Sequence, residues 1–193
     1  IGYSAFYGCS SLETVTIGDG VMSIGDETFK KCTNLTDVTI PDSMTEIGLG
    51  AFQECSSLTS IVIPGGVTTI MSYVFQKCSS LANVVISDGV TFIEIDAFRD
   101  CTSLTDVTIP DSVMLIGSGA FYGCTSLTRV TIPNSVKSIW EDAFSNCNNL
   151  ENVQYDGTKE EWDKIYIDIY SDLSGKTIHG KDNDGNDTTW ICY

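Results

Sequence analysis

The chain repeats itself every 23 residues without an insertion, and this period constrains the fold more than any other feature. Three kinds of side chain mark seven copies of the unit. They are Phe6, Phe29, Phe52, Phe75, Phe98, Phe121 and Phe144; Cys9, Cys32, Cys55, Cys78, Cys101, Cys124 and Cys147; and Leu12, Leu35, Leu58, Leu81, Leu104, Leu127 and Leu150. Such a period is typical of arrays in which each unit packs on its neighbours. The sequence therefore predicts one continuous array.

The order of side chains within a unit predicts a short strand followed by turns. In residues 104–109, Val107 and Ile109 alternate with polar residues, which is the period of a strand with one buried face. A proline directly after this stretch in four units ends the strand, because proline has no N–H to donate. The A-F-x-x-C segment favours a short helical or 3₁₀ turn. We predict an α/β repeat solenoid with a parallel β-sheet, one strand per unit and such turns.

This unit, IGxxAFxxCxSLTxVTIPxSVxx, resembles the 23-residue leucine-rich repeats of the BspA-like bacterial cell-surface proteins. The resemblance covers Ile1 to about Tyr155. It implies a leucine-rich-repeat solenoid, secretion or display on a bacterial surface, and adhesion to host or microbial proteins. A glycine that recurs in the unit is replaced by Met71, Glu94 and Trp140, where we expect backbone strain or local adaptation.

The pattern changes after the seventh unit, so we predict a solenoid over residues 1–155, with a truncated first unit, and a C-terminal cap over 156–193. Thr158 and Glu161 have the spacing of a capping box and predict a short helix. Residues 176–180 and 188–193 flank a polar loop and predict a hairpin. A terminal rung would otherwise expose apolar surface, and Trp162, Trp190 and Tyr193 are the predicted plugs.

The recurring cysteine has four readings. A metal site is disfavoured because each cysteine is alone in its unit, and a nucleophile because the chain has one histidine, His179. A disulfide between adjacent rungs satisfies the Cα separation, but parallel side chains do not present the torsion that a bridge prefers. We favour a small buried hydrophobe. Free thiols in a secreted protein would suit a reducing or anaerobic setting.

Composition narrows the classes of partner. A formal charge of −16 disfavours nucleic acid and anionic membrane surfaces, and no apolar run is long enough to insert into a membrane. The chain starts at Ile1 in mid-pattern, so we expect signal and anchor to lie outside this fragment. Asp182, Asp184 and Asn186 match the first ligands of a calcium loop, but the later positions fail. We predict no cofactor, no metal and no enzyme activity.

Two surfaces are candidates for binding a protein. Polar columns on the strand block include the exposed candidates Asp37, Ser60, Asn83, Asp106, Arg129, Thr108 and Thr131. Phe92 and Leu115 stand where other units carry polar residues, and with Trp140 they predict an apolar patch. Our main hypothesis is adhesion to a host matrix, mucosal or microbial surface protein. The alternative is a passive spacer that presents another domain of a larger surface protein.

Overall fold

The computed structural model describes residues 1–192, in which each turn of the chain adds two short strands to a parallel β-solenoid. The first strands, predicted from the V-x-I pattern, are β1 (Thr14–Thr16), β3 (Asp37–Thr39), β5 (Ser60–Ile63), β7 (Asn83–Ile86), β9 (Asp106–Thr108), β11 (Arg129–Pro133) and β13 (Asn152–Thr158). The second strands are β2 (Ser23–Ile24), β4 (Glu46–Ile47), β6 (Thr69–Ile70), β8 (Phe92–Ile93), β10 (Leu115–Ile116), β12 (Ser138–Ile139) and β14 (Tyr166–Ile167). The prediction of one strand per unit is therefore wrong, because the apolar residue and following Ile of each unit form a second, two-residue strand.

Neighbouring rungs pair in parallel with the register that the period predicts. Thr14 lies opposite Asp37, and Asp106 lies opposite Arg129, so equivalent residues form columns along the solenoid. Over residues 1–192 the ladder of first strands is divided into β1-β3, β5-β7 and β9-β11-β13 with the cap strands. Two neighbouring pairs of first strands, β3 with β5 and β7 with β9, are therefore not joined in one sheet. We call the break between β7 and β9 the seam.

The core is a continuous column of repeated side chains. The seven phenylalanine rings stack with centroids 5.2 to 5.6 Å apart and planes within 11° of parallel. All of them except Phe6 are fully buried, as are the leucines at the repeat position from Leu35 to Leu150. Burial of one such side chain contributes about 1.5–3 kcal/mol. The regular rise of the rungs brings each ring onto the next.

The A-F-x-x-C turns are not helical, which corrects the α/β and 3₁₀ part of the predicted fold class. The N–H groups of Gln53 and Cys55 donate to carbonyls three residues earlier in the same turn, at 3.0 and 3.2 Å. The N–H groups between them, on Phe52 and Glu54, donate to carbonyls of the next rung at 3.0 and 2.8 Å. Because alternate donors leave the turn, no helical ladder forms, and the turns add to the cohesion between rungs.

Two residues with left-handed backbone in each turn also exclude a helix. In the third turn these are Gly50, with φ of 59°, and Glu54, with φ of 62°. The same column as Glu54 holds Gly8 and Gly123, also with positive φ. Left-handed residues interrupt a right-handed helix, so the turn cannot continue as one.

The recurring glycine before these turns lies against the preceding rung. A Cβ atom built on Gly48 would lie 2.5 Å from the backbone nitrogen of Asp26. Met71, Glu94 and Trp140, which replace this glycine, are not among the residues with positive φ. Their side chains are therefore accommodated without left-handed backbone, and the expected strain does not take that form.

The cap adds an irregular rung to both ladders. It then ends the ladder of first strands with an antiparallel hairpin. Helix α1 (Lys159–Trp162) has the predicted capping box, in which Thr158 Oγ1 accepts from the Glu161 N–H and the Glu161 side chain accepts from the Thr158 N–H. Strand β14 pairs with β12, which the sequence did not predict. Strand β15 (Thr177–Lys181) pairs in parallel with β13, and β16 (Asp187–Ile191) pairs with β15 as an antiparallel hairpin.

Aromatic contacts hold the cap together. Trp162 is buried and packs edge-on against Tyr155, with ring centroids 5.1 Å apart, while Trp190 is partly buried on the core. Tyr193, the third predicted plug, lies outside the described residues. The proposed domain division after residue 155 falls inside β13, and it stays a prediction.

The polar loop of the hairpin uses its carboxylate internally. Asp182 Oδ1 accepts hydrogen bonds from the backbone N–H groups of Asp184 and Asn186, at 2.9 and 2.8 Å. Within residues 1–192, no group of three or more His, Cys, Asp or Glu side chains is placed to hold a metal ion. The hydrogen bonds from Asn186 and Asp184 lower the pKa of the Asp182 carboxyl, because they favour its charged form.

Candidate functional site

The strand face is the outward side of the first strands, β1 to β13, where the period places polar columns. Of the candidates predicted there, Asp37, Ser60, Asn83, Asp106, Thr108 and Arg129 are exposed and Thr131 is half-buried. Alternate residues such as Val107 and Val130 are buried. The strand period thus fixes which side chains face solvent, and within each paired set of strands the pairing fixes their spacing at about 4.8 Å.

A groove of about 610 Å³ lies on the strand face over the seam between β7 and β9. We call it the seam groove. It is lined by Asn83, Val84, Val85, Ile86, Asp88, Thr105, Asp106, Thr108, Ile109, Pro110, Asp111, Thr131, Pro133 and Asp156. Its volume is within the range of ligand-binding clefts. The structure therefore brings four predicted residues, Asn83, Asp106, Thr108 and Thr131, to one groove.

A second, more polar cavity of about 490 Å³ adjoins the seam groove and shares Asp106 with it. Here Arg129 Nε donates to Asp106 Oδ1 at 2.9 Å, so the two side chains form a cross-strand ion pair. Asn152 Oδ1 lies 3.1 Å from His179 Nε2 in the cap strand β15. The predicted residues Asp37 and Ser60 line neither cavity.

Sequence reasoning missed the acidic rim of the seam groove. Asp88, Asp111 and Asp156 line it together with Asp106, and Val85 forms an exposed part of its floor. One signal was available, since Asp19, Asp42, Asp88 and Asp111 share one position of the repeat. The period alone could not single out 88 and 111, because the seam between β7 and β9 is not visible in it.

The second strands carry the predicted apolar patch on another side of the solenoid. Phe92 lies opposite Leu115 in register, and Phe92 and Trp140 are exposed by 38% and 46%. Trp140 packs edge-on against Tyr166 of β14, with centroids 6.1 Å apart. Tyr166 extends the patch into the cap, and we call Phe92, Leu115, Trp140 and Tyr166 the apolar band. Its role as a binding site stays a prediction.

The cysteines form a thiol ladder inside the turns. The Sγ atom of each cysteine from Cys32 to Cys147 donates to the carbonyl of the phenylalanine in the preceding rung, at 3.1 to 3.3 Å. All cysteines in residues 1–192 are free. Cys9 is exposed, in contrast to the predicted burial at every rung, because the first rung is covered on one side only.

Burial makes these thiols poor nucleophiles. It raises the pKa of Cys32 to about 11 and that of Cys78 to about 12, and it moves Cys101 in the same direction. A protonated thiol does not attack or bind a metal. His179 is engaged with Asn152 on the strand face. The thiol ladder therefore has the packing role that the sequence predicted, and also a hydrogen-bonding role that it did not.

Comparisons with known proteins identify the repeat. The model of the BspA type leucine rich repeat region matches in six copies, over residues 1–114 and 68–179. The chain belongs to the BspA-type leucine-rich-repeat family. No enzyme family is indicated for this BspA-type protein, and no curated protein matches it. No helix in residues 1–192 has the length and apolar character needed to cross a membrane.

The solved leucine rich repeat proteins of T. pallidum and Bacteroides ovatus support the same assignment. The leucine rich repeat protein of T. pallidum is 34% identical, with a TM-score of 0.54 over 82% of this BspA-type chain and 66% of its own. One from Bacteroides ovatus is 25% identical, with a TM-score of 0.58 over 86% of this chain and 57% of its own. A leucine rich cell surface protein from Faecalibacterium prausnitzii is 28% identical, with a TM-score of 0.45 over 87% and 66%. The chain thus spans less than two thirds of the length of each.

Proposed function

We propose that this chain is a non-catalytic, adhesion-type protein-binding module of a secreted or surface-displayed bacterial protein. The observation that carries the proposal is the pair of adjoining cavities on the strand face, which share Asp106 and extend from β7 to β15. The partner is a host matrix, mucosal or microbial surface protein. Membership of the BspA-type family supports this class of role and location.

Rigid spacing of exposed side chains suits the strand face to protein contacts. Backbone hydrogen bonds hold β9, β11 and β13 in register, so Asp106, Arg129 and Asn152 keep fixed neighbours. Preorganised side chains lose little conformational entropy when a partner binds. Contacts spread over several rungs are individually weak, and many copies on a cell surface raise the total avidity.

The experiment takes a partner found by screening matrix, mucosal and microbial surface proteins. Thr108→Arg with Thr131→Arg fills the seam groove with bulk, and we expect binding to weaken more than about tenfold. Thr16→Arg with Thr39→Arg is the matched control, because it makes the same change in the same column outside the groove. Equal effects of the two pairs would contradict a site in the seam groove.

Two other outcomes would lead to different functions or sites. Loss of binding only in Phe92→Ser with Leu115→Ser would move the site to the apolar band, whose exposed rings are a surface of the kind that interfaces use. If no partner is found in these three classes, adhesion by this chain is wrong. The spacer function would then replace it.

A further inference from the structure

The seam groove has a one-sided charge. Four carboxylates line it, on Asp88, Asp106, Asp111 and Asp156, and no lysine or arginine does. Arg129 reaches Asp106 from the neighbouring cavity. Within the described part of the chain, Asp88 and Asp111 form none of the ion pairs. The rim therefore holds two exposed carboxylates without an internal counter-charge.

The backbone fixes these two carboxylates close together. They occupy the same position in consecutive rungs, which lie about 4.8 Å apart where their second strands β8 and β10 pair in parallel. Ser112, next to Asp111, ties the two turns together, since its Oγ accepts from the Gly89 N–H at 3.0 Å and donates to the Val90 carbonyl at 2.7 Å. Like charges held at this spacing repel each other, so a cation between them would gain from both.

Part of the groove floor is apolar, beside the polar side chains of Asn83, Thr108 and Thr131. Val85 is 55% exposed there, and Pro110 and Pro133 lie along the same groove. A partly apolar floor with an acidic rim matches a side chain that has an aliphatic stem and a cationic head, as lysine and arginine have. Small hydrated cations would leave the floor uncovered. No metal-holding group of His, Cys, Asp and Glu is found among residues 1–192.

We infer that the seam groove binds an extended protein segment that carries lysine or arginine side chains. Their stems lie on Val85 and their charged heads reach Asp88 and Asp111. A second copy of this chain is a poor occupant, because a formal charge of −16 makes two copies repel each other. The inference rests on the proposed protein-binding function and names the chemistry of its partner.

The test uses the 193-residue chain and a labelled synthetic peptide in which lysine alternates with valine. Binding is followed by fluorescence anisotropy at low salt and at about 0.3 M salt, where exposed charges are strongly screened. We expect saturable binding that weakens at the higher salt. A peptide of alternating glutamate and valine should not bind. No binding of the lysine peptide at low salt would overturn the inference.

Matched variants test the location. Asp88→Asn with Asp111→Asn should weaken binding about fivefold or more, since two exposed charge pairs are lost. Asp19→Asn with Asp42→Asn makes the same charge change in the same column outside the groove, and it should change binding less than about twofold. Equal effects of the two pairs would mean that the peptide is attracted to the acidic surface in general. They would contradict binding in the seam groove. Unchanged thermal unfolding of both pairs confirms that folding is kept.

The apolar floor is tested separately. Val85→Thr should weaken the lysine-valine peptide by about twofold to fivefold, because it replaces a methyl group by a hydroxyl. Val62→Thr is the control, since Val62 has the same 55% exposure and repeat position but does not line the groove. If the polyamine spermidine displaces the peptide as well as a lysine-valine competitor of equal charge does, the groove recognises charge alone and the protein-segment assignment is wrong.

Failure of this inference can be told apart from failure of the proposed function. Suppose that Thr108→Arg with Thr131→Arg blocks a partner found by screening, while Asp88→Asn with Asp111→Asn does not affect it. Protein binding at the groove is then supported, and recognition of a basic segment is wrong. Absence of any partner together with absence of peptide binding removes both.

Discussion

Each buried cysteine of the thiol ladder combines a packing contact with a hydrogen bond between rungs. Cys78 is fully buried, and its Sγ donates to the carbonyl of Phe52 at 3.2 Å. Sulfur fills the space beside the phenylalanine column and binds the preceding rung weakly. A hydroxyl would keep the donor but bring a more strongly hydrated group into an apolar site. An alanine would lose both the donor and the volume.

We therefore expect Cys78→Ala and Cys78→Ser to lower the free energy of unfolding by about 1–3 kcal/mol each. Cys9→Ser is the matched control, because it makes the same change at the same repeat position on an exposed residue. It should change stability by less than about 0.5 kcal/mol. Urea unfolding measures all three. Equal stability of Cys78→Ser and the parent chain would contradict the role of burial.

Raised thiol pKa values also predict a loss of stability at alkaline pH. Burial raises the pKa of Cys78 from 9.0 to about 12, so the folded thiol keeps its proton where the unfolded one ionises. This contribution is fully present below pH 9 and is lost as pH rises from about 9 toward 12. The pKa of Cys32 is raised from 9.0 to about 11, so its contribution is lost as pH rises from about 9 toward 11.

Each such thiol should lower the unfolding free energy by about 1.4 kcal/mol per pH unit in that window. Between pH 9 and 10 the thiols dominate, because the pKa of Tyr155, raised by burial to about 12, starts from 10.0. Denaturant unfolding at several pH values measures the slope. Cys78→Ala should reduce this slope by up to about 1.4 kcal/mol per pH unit, which corresponds to one proton. A flat slope in the parent chain would be incompatible with buried thiols.

At the scale of the element, the turns depend on left-handed residues more than on a helix. Glu54 adopts a φ of 62° where Gly8 and Gly123 stand in other rungs. A residue with a Cβ loses about 1–2 kcal/mol in this conformation. Glycine avoids that cost, although it has more entropy to lose on folding.

Glu54→Gly should therefore stabilise the protein by about 0.5–1 kcal/mol. Glu54→Ala, which removes the same carboxylate but keeps the Cβ, should bring no such gain. Thermal unfolding of both variants separates the backbone effect from the loss of charge. A destabilised Glu54→Gly beside a neutral Glu54→Ala would mean that the left-handed conformation is not strained here.

The elements differ in how far the sequence predicted them. Val107 and Ile109 revealed the first strand and its register, because alternation and a strict period suffice for that. The second strand, such as Phe92–Ile93, is two residues long and too short for a period to show. The turn was assigned a helical form because the spacing of Phe52 and Cys55 allows one, whereas the donors of that turn bind the next rung. The glycines at positions 8 and 123 were the available signal.

At the scale of the whole molecule, each rung is stabilised by contacts with its neighbours, and the cap covers the last rung. Strands β15 and β16 extend the ladder beyond β13, and the N–H of Phe144 donates to the carbonyl of Ser171 at 3.2 Å, so the cap also covers the last turn. An uncovered rung presents unpaired strand edges and apolar side chains, which favour association between chains. The cap is therefore expected to keep the C-terminal end monomeric.

A chain that ends at Thr158 removes this cover and should aggregate. It exposes β13 and the last phenylalanine turn together, whereas a chain that ends at Lys181 keeps β15 on β13 and should aggregate less. Size-exclusion chromatography with light scattering over a range of protein concentrations compares the two with the parent chain. If the chain that ends at Thr158 stays monomeric and unfolds at the parent's temperature, residues 159–193 are an appendage and the seventh rung supports itself. Graded association, largest for the shorter chain, is the result that covering of the rungs requires.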